Sequence, residues 1–170
     1  MMTIDQCVHA HAFAKKRHDA TGAVRRHSGV AYIHHPEQVA RIVEAWGGDR
    51  DQIVVAYLHD TVEDTSATLE IIKQKFGGQI SSYVREITNN RETIKKIGKE
   101  EYINQELVRL SNKVLLVKLA DMYSNMLDFP AAAQSDRMYR NINYLQANRV
   151  NMTSAQEDLI NEIKIAYICR

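Results

Sequence analysis

In the run Ile53-Val54-Val55-Ala56-Tyr57-Leu58-His59-Asp60-Thr61-Val62-Glu63-Asp64-Thr65, an apolar segment ends abruptly in charge. Four ionisable side chains follow it, within residues 59–64. If the helical pattern of about Asp51 to Thr61 continues, His59 lies one turn before Glu63, and Asp60 one turn before Asp64. An imidazole and three carboxylates then crowd the end of a largely buried helix. Carboxylates that close resist burial unless something positive sits among them. A divalent metal meets that need, because it takes imidazole nitrogen and carboxylate oxygen together. A polar helix end entering a loop is the alternative, and spacing alone leaves both open.

Outward from this run the pattern is helical. Only two prolines and seven glycines interrupt 170 residues, and apolar residues recur at helical spacing in most windows. The expectation is a compact all-α, multi-helix fold with residues 1–170 as one domain. A first helix is predicted from about Thr3 to Lys16, presenting Ile4, Val8, His11, Ala12 and Lys15. An irregular stretch follows from Arg17 to His35. Pro36 then suits the first position of a helix capped by His35 and ending at Gly47-Gly48. Ser66 or Thr68 can cap a helix burying Leu69, Ile72 and Phe76, and another spans about Gln79 to Thr88. Asn89 to Gly98 reads as a loop or weak helix, and Lys99 to Leu110 as an amphipathic one. Two packing helices, about Ala131 to Gln146 and Thr153 to Cys169, close the chain, with Arg137, Arg140 and Tyr144 facing solvent.

Lys113 to Phe129 is the second informative segment. It is apolar all round, as a buried helix is, yet carries Asp121 and Asn125 one turn apart. A buried Asp must be neutralised, by a metal or by a pair such as Lys118 at i−3. Of the seven His, His9, His11 and His18 read as surface or packing residues, whereas His35 is restricted by the Pro36 that follows.

The bulk numbers narrow the function classes. Twenty-two basic against twenty-one acidic residues give a net charge of +1, which offers no support for bulk nucleic-acid binding. Cys7 and Cys169 form no CxxC pair or disulfide framework. Met1 to Asp19 lacks the apolar core of a signal peptide, and no run is long and apolar enough to span a membrane. The expected compartment is the cytoplasm.

Taken together, His35, His59-Asp60 and Asp121 resemble the H…HD…D signature of the HD-domain metal-dependent phosphohydrolases. His59-Asp60-Thr61-Val62-Glu63-Asp64-Thr65 is similar to the HDxxEDT motif of the RelA/SpoT-type alarmone hydrolase branch. Arg26-His27-Ser28-Gly29 through Tyr32-Ile33-His34-His35-Pro36 resembles that branch's R-x-S-G…Y-I-x-H-P stretch, and Val117-Lys118-Leu119-Ala120-Asp121 with Asn125-Met126 its V-K-L-A-D…N-M/L stretch. Thr68-Leu69 and Phe76-Gly77 match the connecting helix. The likeness covers about residues 7 to 129 and is to the small, hydrolase-only members. Departures occur at His27, Val30-Ala31, Met122 and Ser124; they leave the metal set intact and bear on nucleotide selection.

The resemblance implies one Mn²⁺-type ion held by His35, His59, Asp60 and Asp121. Two imidazoles and two carboxylates with no thiolate also suit Fe²⁺ or Zn²⁺. It implies removal of the 3′-pyrophosphate of (p)ppGpp, giving GDP or GTP and pyrophosphate, with Glu63 and Asp64 as the water-orienting and proton-transferring pair. Arg26 is implied against the purine base, Ser28 and Asn125 near the nucleoside, and Lys118 behind Asp121. Two other readings stand beside it: an HD phosphohydrolase acting on another nucleotide, such as the 2′-phosphate of NADPH, and a nucleotide-sensing or partner-binding module on an HD scaffold.

Overall fold

The structure, a computed structural model, describes residues 5–169. Among them are eleven helices and a single isolated antiparallel bridge between Val24 and Ala31. The all-α expectation holds. In chain order they are α1 (Gln6–Asp19), α2 (His34–Ala45), α3 (Arg50–Leu58), α4 (Thr61–Asp64), α5 (Leu69–Phe76), α6 (Gly78–Ile87), α7 (Arg91–Ile97), α8 (Lys99–Arg109), α9 (Asn112–Leu127), α10 (Ala132–Asn148) and α11 (Ser154–Ile168).

Helix α9 is the axis of the molecule. It packs against α2, α3, α6 and α11, and α2 and α3 pack on each other. Val114, Leu115, Val117, Leu119, Ala120 and Met126 are all buried along it, so the segment apolar on every side is the interior one. Ser111 caps it through Val114 N–H. Capping boxes start α3 at Asp49-Gln52 and α11 at Thr153-Gln156. Gly77, at φ +90°, and Gly98, at φ +83°, each end one helix and begin the next. Only glycine accepts that backbone without strain.

Several boundaries differ from the sequence reading. The first helix starts later than Thr3, with Asp5 accepting from Cys7 N–H, and runs on to Asp19. Its buried face is Ala10, Phe13, Ala14 and His18, while Val8 is 59 % exposed. The bulk of Phe13 sets the register, against the stripe through Val8 and Ala12. Thr3 and Ile4 lie outside the described residues. Pro36 is the third residue of α2, not the first. That is tolerated because first-turn N–H groups have no acceptor within the helix. His35 is therefore not a cap, and its ring points inward. Asn89 to Gly98 contains a real helix, α7, capped by Asn90 and burying none of its residues. Of the two candidate caps for α5, Thr68 serves; Ser66 Oγ instead accepts from Arg17.

The central helix does not run through to Thr61. It stops at Leu58, and a separate turn, α4, follows Asp60. Side chains take over the released carbonyls: His59 Nδ1 bonds Ala56 O at 2.8 Å, and Thr61 Oγ1 donates to Leu58 O at 2.7 Å. Such local bonds compete with the helical ladder and end it. The break presents His59 and Asp60 to the face of α9.

Leu119 is fully buried in α9, whereas Leu127 at its end is 39 % exposed. Leu119→Ala is expected to cost about 2–5 kcal/mol and Leu127→Ala about 0.5 kcal/mol, as read by denaturant unfolding.

Candidate active site

Three mutually packed helices bring the four predicted ligands together. His35 comes from the first turn of α2, His59 and Asp60 from the break after α3, and Asp121 from the middle of α9. His35 Nε2 is 3.1 Å from Asp121 Oδ1 and 3.6 Å from Asp60 Oδ2. His59 Nε2 is 3.0 Å from Asp60 Oδ2 and 3.9 Å from Asp121 Oδ1. The donor atoms of His35, His59 and Asp121 lie within 4.8 Å of one another, and all three residues are buried. Asp60 sits against both imidazoles.

Proton bookkeeping shows that this set suits a cation. Ala56 O can only accept, so His59 Nδ1 carries hydrogen and the bare Nε2 of the neutral ring faces the carboxylates. That buried Nε2 has no hydrogen-bond partner among the described residues. A nitrogen lone pair facing carboxylate oxygens repels them, so the arrangement needs positive charge at its centre. Without metal, protons supply it: burial opposes charging His59, but the Asp60 carboxylate outweighs burial and pushes its pKa up to about 9. Burial would raise Asp60; the two imidazoles, His59 foremost, instead hold it well below the usual carboxylate range. The donor set fits a divalent ion on this count.

Asp121 answers both sequence alternatives. Its Oδ2 pairs with Lys118 Nζ at 2.9 Å, while Oδ1 faces His35 and accepts from Asn125 Nδ2 at 2.7 Å. Burial opposes the Lys118 charge, yet Asp121 raises its pKa above the ordinary lysine value. Tyr32 donates to Asp60 Oδ2 at 2.5 Å. Against Tyr32 packs His18, buried, its ring centroid 4.8 Å away. It is a packing residue, as expected.

A cleft of about 420 Å³ opens over this centre and is lined by His35, Asp60, Glu63, Asp64, Asp121 and Asn125. Glu63 is clamped by Asn89, whose backbone N–H donates at 2.7 Å and whose side-chain amide reaches both carboxylate oxygens at 3.0 and 3.1 Å. Arg91 donates to Glu63 O at 2.8 Å and lies 3.4 Å from Asp64 Oδ1. Burial pushes both carboxyls up, with Asp60 adding to the rise. Lys99 and Arg137 also line the cleft. Burial and the charges of Lys118 and Arg137 lower the Lys99 pKa, against the opposing pull of Asp121 and Glu63.

Not every predicted residue arrives. Arg26 and Ser28 are exposed and outside this cleft; Ser28 lines a separate hollow with Arg25 and Asp128. The bridge between Val24 and Ala31 turns Arg25 inward, to 6 % exposure, and Arg26 outward. Arg137, expected in solvent, faces the cleft, whereas Arg140 pairs with Glu100. The sequence reading missed Tyr32, Asn89, Arg91 and Lys99. The polar cluster Asn89-Asn90-Arg91 directly after an amphipathic helix was the available signal for two of them.

A family model for the HD domain matches residues 10–149. The GTP pyrophosphokinase rsh of Brucella suis biovar 1 is 34 % identical over 169 residues, which are 94 % of this chain but 22 % of that protein. The chain thus spans under a quarter of the long relatives it matches. The human guanosine-3′,5′-bis(diphosphate) 3′-pyrophosphohydrolase is 36 % identical over 125 residues, covering 72 % of this chain and 69 % of its own. A solved metazoan ortholog of SpoT superposes with TM-score 0.76 over 95 % of this chain and 97 % of its own, at 22 % identity, a likeness of fold. With its helices, its His35, His59 and Asp121 cluster and these relatives in view, the chain belongs to the HD-domain family, on the branch that includes the guanosine-3′,5′-bis(diphosphate) 3′-pyrophosphohydrolases.

Proposed function

We propose that this chain is a metal-dependent phosphohydrolase that removes the 3′-pyrophosphate of (p)ppGpp, giving GDP or GTP and pyrophosphate. The observation that carries the reading is the meeting of bare imidazole nitrogens and carboxylate oxygens on the floor of a cleft that also holds Glu63 and Asp64. The relatives' names supply the substrate class. His35, His59, Asp60 and Asp121 would hold one ion, Mn²⁺ by family resemblance, with Fe²⁺ or Zn²⁺ compatible with the same donors. A divalent ion held there supplies Lewis acidity, acidifying water and screening phosphate oxygens near neutral pH.

The remaining steps belong to the side chains. Glu63, fixed by Asn89 and raised in pKa by burial, is placed to move a proton between attacking water and the leaving 3′-oxygen. Asp64, more exposed, orients water beside it. Lys99, Arg91 and Arg137 line the same cleft and would meet the oxygens of a polyphosphate. Asn125 donates to Asp121 at 2.7 Å and accepts from Arg25 Nη2 at 3.4 Å, so its amide oxygen would be shared between Arg25 and a ribose or base donor. Arg26 and Ser28 take no part in this reading.

Three measurements test it. Asp121→Asn is expected to strip the metal and, by leaving buried Lys118 unpaired, to cost about 3–5 kcal/mol of stability. Adding Lys118→Met should restore folding but not the ion, as read by metal analysis and thermal unfolding. Full occupancy in the double variant would reduce Asp121 to a salt-bridge partner. Glu63→Gln should keep the metal and nucleotide binding while kcat falls by about a hundredfold or more. Chromatography of products from ppGpp, pppGpp, NADPH and GTP under identical Mn²⁺ should show GDP and pyrophosphate from ppGpp. Orthophosphate from NADPH with ppGpp left intact would transfer the reading to a 2′-phosphatase, and binding of every nucleotide without turnover would favour a sensing module.

A further inference from the structure

Behind the metal centre, on the side away from the cleft, a buried polar cluster joins the irregular segment before α2 to the end of α9. Arg25 Nη1 donates to Ser124 Oγ at 3.1 Å and to Gln38 Oε1 at 3.2 Å. Arg25 Nη2 donates to Ser124 O at 3.1 Å, and Nε pairs with Asp128 at 3.2 Å. Ser124 Oγ donates to Gln38 Oε1 at 2.7 Å and lies 2.9 Å from His35 Nδ1. Ser124 is fully buried, and Arg25 and His35 nearly so.

The direction of every hydrogen in this cluster follows from the guanidinium, which can only donate. It forces the Gln38 oxygen inward, because an amide N–H turned toward Arg25 would meet another donor. That oxygen takes the one Ser124 hydroxyl hydrogen. The Ser124 oxygen, already accepting from Arg25, has a lone pair left for His35. Nδ1 of His35 must therefore be the donor, which leaves the Nε2 lone pair facing Asp121, Asp60 and the metal position. For His59 a backbone carbonyl does the same task; for His35 it takes three side chains.

We propose that Arg25, Gln38 and Ser124 are positioning residues that set the His35 tautomer and so its affinity for the ion. The proposal rests on the reading of His35 as a metal ligand. It assigns Arg25 a task away from the nucleotide and gives the segment around the Val24–Ala31 bridge a direct link to the metal centre.

The test is Mn²⁺ affinity by chelator competition on purified protein, with unfolding of the metal-free form as control. Gln38→Met removes the acceptor, so Ser124 becomes free to donate to Nδ1 and reverse the tautomer. Ser124→Ala removes the His35 acceptor directly. Each is expected to weaken Mn²⁺ ten- to a hundredfold, the usual scale for a partner behind a metal ligand, while the metal-free form unfolds near the wild-type midpoint. Gln38→Glu keeps an acceptor against Arg25 and should retain near wild-type affinity. Wild-type affinity in both Gln38→Met and Ser124→Ala would overturn the proposal. So would equal losses in Gln38→Glu and Gln38→Met, or collapse of the metal-free fold in both damaging variants, since either would make the cluster a packing element. Wild-type protein that takes up no Mn²⁺ at all would instead sink the metal reading beneath it.

Discussion

Two imidazole nitrogens face two carboxylates across the junction of three helices, and the surrounding structure is arranged around that confrontation. Without a proton or a cation among them these groups repel, since lone pairs and negative charges occupy the same small volume. The fold holds it closed by packing: α2, α3 and α9 are mutually in contact, and their buried aliphatic residues outnumber the charges at their meeting point. Burial of apolar surface at about 25 cal/mol per Å² supplies the force that pins such groups together. The polar groups are then satisfied one at a time. Lys118 takes one Asp121 oxygen, Tyr32 takes Asp60, and carbonyl or hydroxyl acceptors take the far nitrogen of each ring.

This explains why the active-site helices are irregular where they are. An uninterrupted helix through His59 would leave its Nδ1 without the Ala56 carbonyl, which the α-helical ladder would claim. Breaking the ladder costs backbone bonds, but the Thr61 hydroxyl recovers the Leu58 carbonyl at 2.7 Å, and the Thr65 hydroxyl adds a second donor, beside its own backbone N–H, to Thr61 O at 2.6 Å. The residues between His59-Asp60 and Glu63-Asp64 thus shape the geometry of the proposed site. The threonines hold the turn that sends Glu63 and Asp64 up the cleft wall.

How much of this was legible in the sequence depended on whether the signal was chemical or geometric. Asp121 inside an apolar helix and His59-Asp60 at the end of another stood out because burying charge is costly, and the structure brings them together. The helices themselves followed from periodicity. The lining of the cleft did not. Arg25 and Arg26 are chemically alike neighbours, and only the backbone bridge between Val24 and Ala31, a pairing across seven residues, decides which one turns inward. Arg137 lay on a helix whose exposed and cleft-facing sides are both polar, so hydrophobic patterning could not separate them. The first helix was read one face out because Phe13, the largest side chain on it, was left off the apolar stripe. Asn89 was hidden in a stretch too polar to show a pattern, although its contact with Glu63 is among the closest at the site.

The glycine corners at Gly77 and Gly98 carry a consequence for motion. Helix α7 buries none of its residues and is joined to α8 through Gly98 alone, at φ +83°. Segments with few buried contacts open at small free-energy cost, well before the core does. Yet Asn89 and Arg91, at the entrance to this helix, hold Glu63 in place. The floor carrying His35, His59 and Asp121 is thus anchored in the buried core, while the wall that fixes Glu63 adjoins a helix with no buried residue. Substrate entry and product exit can draw on that looseness on a fast timescale, with amide exchange in residues 89–98 outrunning that of α9, and the floor need not move at all.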